Sequence, residues 1–193
     1  MTRFFGTILM FAALSITGAK LNAQGIQHSP EKSYQTALQL FQEGLYSEAA
    51  PIFRSVSDRH ENRSLSESAG YYYVLAVTEM DSTLIEEQTE WFVDRFPTAR
   101  RSGELLKDVG HRKMAQGEYR AALDWFERAA HRPMTRRQRT ELTYNMAEAA
   151  ANDESYDEAR VYFMEVAELN PESVWGPRAL YARGRLYLEE ERY

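Results

Sequence analysis

Four histidines, His28, His60, His111 and His131, are the side chains best able to ligate a metal or move a proton near neutral pH. Zinc hydrolases hold two histidines one helical turn apart, and no His-Glu-x-x-His occurs here. His60-Glu61 falls near an expected helix end, where a histidine caps carbonyls. Ser29-x-x-Lys32 has the spacing of a lysine-activated serine, yet neither S-D-N nor K-T-G follows. Ser29 is better read as the cap of a helix opening at Pro30-Glu31. Neither G-x-S-x-G, nor a P-loop, nor G-x-G-x-x-G is present. The acid pairs Asp153-Glu154 and Asp157-Glu158 sit at a turn and helix start, where they favour the helix dipole rather than acid–base hydrolysis. Cysteine is absent, which removes thiolate zinc sites, disulfides and cysteine nucleophiles. The expectation is a chain with no catalytic residues, no metal ligands and no cofactor, and not an enzyme.

One charge run stands out: His131-Arg132-Pro133-Met134-Thr135-Arg136-Arg137-Gln138-Arg139. As a loop it suits an anionic docking site for a phosphate-bearing lipid or an acidic protein tail. The simpler reading, a solvated loop with arginines near a helix end, is preferred. Nucleic acid is not an expected partner. The whole chain carries a net charge of −6, and the run lacks interleaved aromatics.

The first 23 residues, MTRFFGTILMFAALSITGAKLNA, read as an export signal. Arg3 supplies a positive start, Phe4 to Ala19 is apolar, and Lys20 and small residues follow. The apolar stretch is shorter than the roughly 20 residues that span a bilayer. Cleavage is expected after Ala23, with Ala19 as the second choice and a retained anchor as the competing reading. Residues 24–29 then form a short linker. Removing 1–23 leaves 21 basic and 29 acidic residues, a net charge of −8. No later apolar stretch is long enough to span, so the product is expected to be exported and soluble, in the periplasm or cell envelope. Lacking cysteine, it cannot carry a thioether lipid anchor.

The remainder is rich in helix-forming Ala, Leu, Glu, Gln and Arg. Tyr34, Ala37, Leu38 and Phe41 form an apolar stripe of helical period. The chain also repeats itself. Tyr46, Ala49 and Phe53 share their spacing with Tyr119, Ala122 and Phe126, and with Tyr156, Ala159 and Phe163. The tyrosines, with Tyr193, lie 73, 37 and 37 residues apart, so one degenerate unit belongs between Tyr46 and Tyr119. Residues 66–80 and 84–96 read as its two helices. Each unit is a helical hairpin. The tyrosine packs at the turn, the alanine lets the helices close, and the phenylalanine fills the groove to the next unit. One hairpin cannot bury both faces, so neighbours must stack.

With these marks the chain resembles the tetratricopeptide repeat proteins. Residues 140–171 match best, through Met146-Ala147, Tyr156, Ala159, Phe163, Val166 and the closing Pro171. Residues 103–134 match at Val109-Gly110, Tyr119, Ala122, Phe126 and Ala129. Residues 30–56 match at Gly44, Tyr46, Ala49, Phe53 and Val56. The resemblance implies an all-α, right-handed superhelical solenoid of antiparallel helix pairs over 30–193. Its repeats fall at about 30–63, 66–97, 103–134 and 140–171, with a partial one at 177–193. It also implies a concave groove lined by the first helix of each pair. That groove would present Tyr34, Phe41, Lys107, His111, Met114, Tyr144, Glu148, Asn152, Tyr181 and Arg185 to a protein partner. With the export signal, the array is similar to long multi-repeat envelope proteins of Gram-negative bacteria.

Residues 178–193 read as the first helix of a fifth unit whose second helix is missing, which favours a fragment of a longer protein over a self-capped end. The leading expectation is a non-catalytic scaffold or adaptor that binds partner segments in the groove. The alternatives are the solenoid arm of a larger envelope enzyme, such as a peptidoglycan-cleaving one, and a glycan-binding component of a nutrient-uptake complex.

Overall fold

The computed structural model describes residues 29–59 and 61–190. The export segment, the linker before Ser29, His28, His60 and Tyr193 lie outside the described residues. Among the described residues there are nine α-helices and no strand. They are α1 (Pro30–Gln42), α2 (Tyr46–Ser57), α3 (Arg63–Met80), α4 (Ile85–Arg95), α5 (Ser102–Gln116), α6 (Tyr119–Ala130), α7 (Arg136–Asn152), α8 (Tyr156–Leu169) and α9 (Trp175–Glu190). A short 3-10 turn, Ser82–Leu84, precedes α4. Successive helices pack on one another from α1 to α9, giving an all-α, right-handed solenoid of antiparallel pairs.

Local chemistry sets the helix ends. The Ser29 side chain accepts from the Lys32 N–H, with Pro30 in the first turn. Asn62 does the same for Leu65 at the start of α3. Thr135 and Gln138 form a reciprocal capping box that starts α7 at Arg136. At the turns, Gly44 and Gly117 stand two residues before the next helix with φ of +77°. Glu154 occupies the third such turn with φ of +59°, a left-handed conformation that glycine adopts at less cost.

The second helices begin at Tyr46, Ile85, Tyr119 and Tyr156, 39, 34 and 37 residues apart. Seven residues in, each carries a buried ring: Phe53, Phe92, Phe126 and Phe163. Three residues in stand Ala49, Ala122 and Ala159, all fully buried, but the second pair has Gln88 there. Across the pair a small residue receives the ring. A Cβ added to Gly110 would lie 2.4 Å from Cε1 of Phe126; one at Gly70 would lie 3.4 Å from Cδ2 of Phe92 and 2.6 Å from Cε2 of Phe96, the residue just past α4.

Helix α4 thus carries a buried glutamine where its counterparts carry alanine. Helix α4 meets α3 and α5 more sparsely than α5 meets α6 or α7 meets α8. The hydroxyls of Ser57 and Thr89 are buried nearby without a hydrogen-bond partner. The largest apolar cluster runs unbroken from Ile85 to Leu186. On the N-terminal side the core is divided into smaller clusters, one around Phe53 and another joining Val74, Phe92, Phe96 and Leu105.

Candidate functional site: the face of the first helices

Side chains link each first helix to the next. The Tyr34 ring of α1 stands edge-on to Tyr72 of α3, 6.2 Å between centroids. The Arg101 guanidinium lies 4.6 Å from the Tyr71 ring and 5.6 Å from the Tyr72 ring, a cation–π bridge from α3 to the start of α5. The Tyr71 hydroxyl donates to the Glu104 carboxylate at 3.1 Å. Burial, and then the Glu104 charge, hold that hydroxyl well above the ordinary tyrosine range. His111 of α5 and Asn145 of α7 share a hydrogen bond of 3.3 Å through the His111 Nε2. Tyr144 of α7 packs 4.8 Å from Trp175 of α9. The five first helices are thus tied into one face.

The expected groove residues sort by what they touch. Tyr34 and Phe41 join a ring cluster with Phe53 and Tyr72, and Phe41 also meets Tyr46. Tyr144 stands edge-on to Phe163 as well, and burial followed by the Glu148 carboxylate raises its hydroxyl pKa. Met114 is half-buried against the large core cluster. These four face neighbouring helices as much as solvent. His111 is exposed, with its ring edge-on to Phe126. Lys107 lines a small depression with Met134 and Gln138. Glu148, Asn152 and Arg185 do converge, on an open cavity of about 300 Å³ between α7, α8 and α9. Asn152 donates to the Glu148 backbone carbonyl at 2.7 Å. Tyr181 is 72 % exposed and stands apart from that cavity.

The repeat-marking residues lie between the helices. Tyr46 packs on Phe41, Tyr156 lies against the large cluster, and Tyr119 is half-buried. Pro171 is exposed, and its backbone crowds Gly176 at the start of α9. Phe92 marks the second unit in the same phase, seven residues after the start of α4. Sequence spacing missed it because Ile85 and Gln88 replace the expected Tyr and Ala. The Phe alone was the available signal.

The arginine run requires a correction. It is not a loop over its whole length, because the Thr135–Gln138 capping box starts α7 at Arg136. Three of its cations are already engaged. Arg132 donates to the Pro97 carbonyl, Arg136 to the Leu169 carbonyl, and Arg139 to the Ala130 carbonyl. Two of these carbonyls lie at or near the ends of α6 and α8, where the dipole favours a cation. Arg132 and Arg136 reach 35 and 33 residues along the chain, about one repeat. The same reach recurs at Arg63 to Thr98, Arg120 to Asp153 and Tyr162 to Glu127. The run clasps adjacent units together. Among the described residues no three His, Asp or Glu side chains cluster as a metal site, and no helix is long and apolar enough to cross a membrane.

Neither a family model nor a curated protein sequence matches the chain. Solved structures do match. The MamA fragment 41-end from Desulfovibrio magneticus RS-1 superposes with a TM-score of 0.57 at 13 % identity, over 86 % of this chain and 88 % of that one. A Podosopora anserina putative kinesin light chain with nearly identical TPR-like repeats gives 0.55 at 13 %, over 86 % and 90 %. Pseudomonas aeruginosa PilF gives 0.52 at 18 %, over 85 % and 70 %. The fold is that of the tetratricopeptide repeats. At these identities the likeness shows the fold alone. In tetratricopeptide terms, the tied face described above belongs to the first helices and the clasps join consecutive repeats.

Proposed function

We propose that this chain is a non-catalytic protein-interaction scaffold of the periplasm or cell envelope, which docks a partner segment along the face of its first helices. One observation carries the reading: that face is tied from α1 to α9 by direct side-chain contacts, so it is organised before anything binds. Preorganisation lowers the ordering cost of association. The cavity at Glu148, Asn152 and Arg185 supplies an acid, an amide and a base within one depression. That set suits the amides and mixed charges of an extended peptide, with Tyr181 and His111 as exposed ring anchors.

The export reading at 1–23 supplies the compartment, and N-terminal sequencing of the cell-derived protein is expected to begin at Gln24. Docking is tested by placing a photo-crosslinking residue in living cells at Asn152 or His111, and at Ser55 and Glu165 on second helices. Adducts are expected from the first-helix positions alone. Equal labelling from both sets, or labelling only from second helices, would remove this face as the docking surface.

A further inference from the structure

Antiparallel pairing puts the four connections between pairs at one end of the array and the four turns inside pairs at the other. The two ends carry opposite charge. Each segment is taken from the last residue of one α-helix through the fourth of the next. The turns, at 42–49, 80–88, 116–122 and 152–159, hold ten acidic residues and one basic residue, Arg120. Arg120 is paired with Asp153 and Glu158. At the other end the excess is basic and lies in the two middle connections. Residues 95–105 and 130–139 hold seven arginines and one acid, Glu104. Asp94 and Glu141 flank these segments, and with both included the excess is still four. The outer connections, 57–66 and 169–178, are balanced.

The arginines of this edge are held by neutral groups. Arg132, Arg136 and Arg139 donate to backbone carbonyls, and Arg101 lies over the Tyr71 and Tyr72 rings. Such contacts fix a guanidinium in place and leave its charge uncompensated. They also spread the charge along the edge. Arg132 reaches back to the second connection at Pro97, and Arg136 reaches forward to the fourth at Leu169. Arg100 and Arg137 are exposed and form neither a hydrogen bond nor an ion pair. Glu104, the acid between them, already accepts from the Tyr71 hydroxyl. Beside it, Arg100 and Lys107 rim the depression that holds Met134.

We propose that this edge is a peripheral docking surface for an anionic membrane, with the phosphates of lipid headgroups as its ligands. Guanidinium groups match phosphate oxygens in geometry as well as charge. The connections are tips rather than walls, and the depression between them is about 30 Å³, too small to take up a peptide segment. A plane of phosphates meets several tips at once. The negative net charge of the chain does not oppose this contact. Helices α5 and α6, of 15 and 12 residues, hold the two ends apart. That is about 18–22 Å at 1.5 Å per residue, more than twice the screening length of about 8 Å at physiological salt. Each end therefore acts by its own charge, and the acidic end points away from the bilayer. The solenoid stands on its edge, which leaves the face of the first helices open.

The test is co-sedimentation of the protein purified from cells with vesicles of phosphatidylcholine, alone or mixed with phosphatidylglycerol. Binding is expected to the mixed vesicles only and to be lost in high salt. Two double variants lower the net charge by the same amount. Arg100→Gln with Arg137→Gln removes charge from the edge, and at about five-fold per arginine should weaken binding about 25-fold. Gln42→Glu with Gln116→Glu adds acid at the far end and should leave binding unchanged. All four positions are exposed, so helicity and Tm should hold in both. Four results would overturn the proposal. The first is no binding to the mixed vesicles, including the case in which soluble polyglutamate binds instead and marks an acidic protein segment as the occupant. The second is equal binding to neutral vesicles. The third is equal weakening by both double variants. The fourth is displacement by inorganic phosphate at constant ionic strength, which would mark a site for one free anion.

Discussion

Gly110 and Gly184 hold the same place in their repeats, yet one carries a ring and the other faces open space. The substitution of alanine at each should therefore have opposite signs. At Gly110 the new methyl group would lie 2.4 Å from Cε1, 2.5 Å from Cδ1 and 3.0 Å from Cζ of Phe126. Phe126 is fully buried and has the His111 ring 5.2 Å away, so it has little room to retreat. Overpacking of this kind costs about 1–3 kcal/mol. Alanine recovers about 0.5–1 kcal/mol over glycine inside a helix. The net expectation for Gly110→Ala is a loss of about 1–2 kcal/mol, or about 3–6 °C in Tm for a chain of this size. Gly184→Ala keeps only the helix gain, about 0.5–1 kcal/mol. The assay is urea unfolding followed by far-ultraviolet circular dichroism. Midpoints are compared at an unchanged m-value. If Gly110→Ala proves as stable as the parent, or the two variants move together, the seating of a ring on the first helix is not what holds the pair closed.

Three further outcomes follow from the same contacts. Glu154→Gly relieves the one left-handed turn residue among the described residues that is not glycine, and should raise stability by about 1 kcal/mol, read as a higher urea midpoint, whereas Glu154→Ala should not. Thr89→Val removes a buried hydroxyl that has no partner while keeping its shape, and should stabilise by about 1 kcal/mol in the same assay. Burial raises the hydroxyl pKa of Tyr71 and of Tyr162, and the Glu104 and Glu127 carboxylates raise them further. Unfolded tyrosine releases its proton near about pH 10, so above that pH the folded state holds protons the unfolded state has lost. Stability should stay whole below that point and fall as the pH climbs towards the folded-state values. A Tyr71→Phe, Tyr162→Phe double variant should flatten the fall in urea midpoints measured between about pH 9 and pH 11.

The repeat was legible where it rests on residue size. An alanine at a close approach and a phenylalanine four residues later leave a spacing that survives in the sequence, as at Ala122 and Phe126. It faded at α4 because Gln88 breaks the size rule while Phe92 keeps it. Membership of the first-helix face was legible from register, but accessibility was not. Tyr34 and Tyr144 stand at exposed-looking positions, and their rings are taken by Tyr72 and Trp175 across a repeat boundary. For the arginine run, the sequence places cations near helix ends but does not show which group each one meets. A cluster of like charges in sequence is a cluster in space only if the side chains stay together. Here Arg132, Arg136 and Arg139 leave in different directions for three separate carbonyls.

These long-range clasps explain how the array tolerates its weakest joint. In a solenoid each unit is held only by its neighbours, so a poor interface in the middle divides the whole. The apolar packing is poorest at α4, where a glutamine replaces the closing alanine. The third repeat reaches back to that helix and its flanking turns with four cations. Arg112 donates to the Ser82 carbonyl, Lys113 pairs with Glu86 at 2.7 Å, Arg128 holds Glu90 through two bonds of 2.7 and 2.6 Å, and Arg132 donates to the Pro97 carbonyl. An exposed pair contributes little alone, but a bidentate pair and a second ion pair on one short helix, with a contact to the turn on each side of it, fix its position from both ends. On the opposite side of the joint, Arg101 bridges from the Tyr71 and Tyr72 rings to the start of α5. The first-helix face thus crosses the joint without depending on α4, which leaves that second helix free to depart from the repeat pattern while the face itself stays continuous.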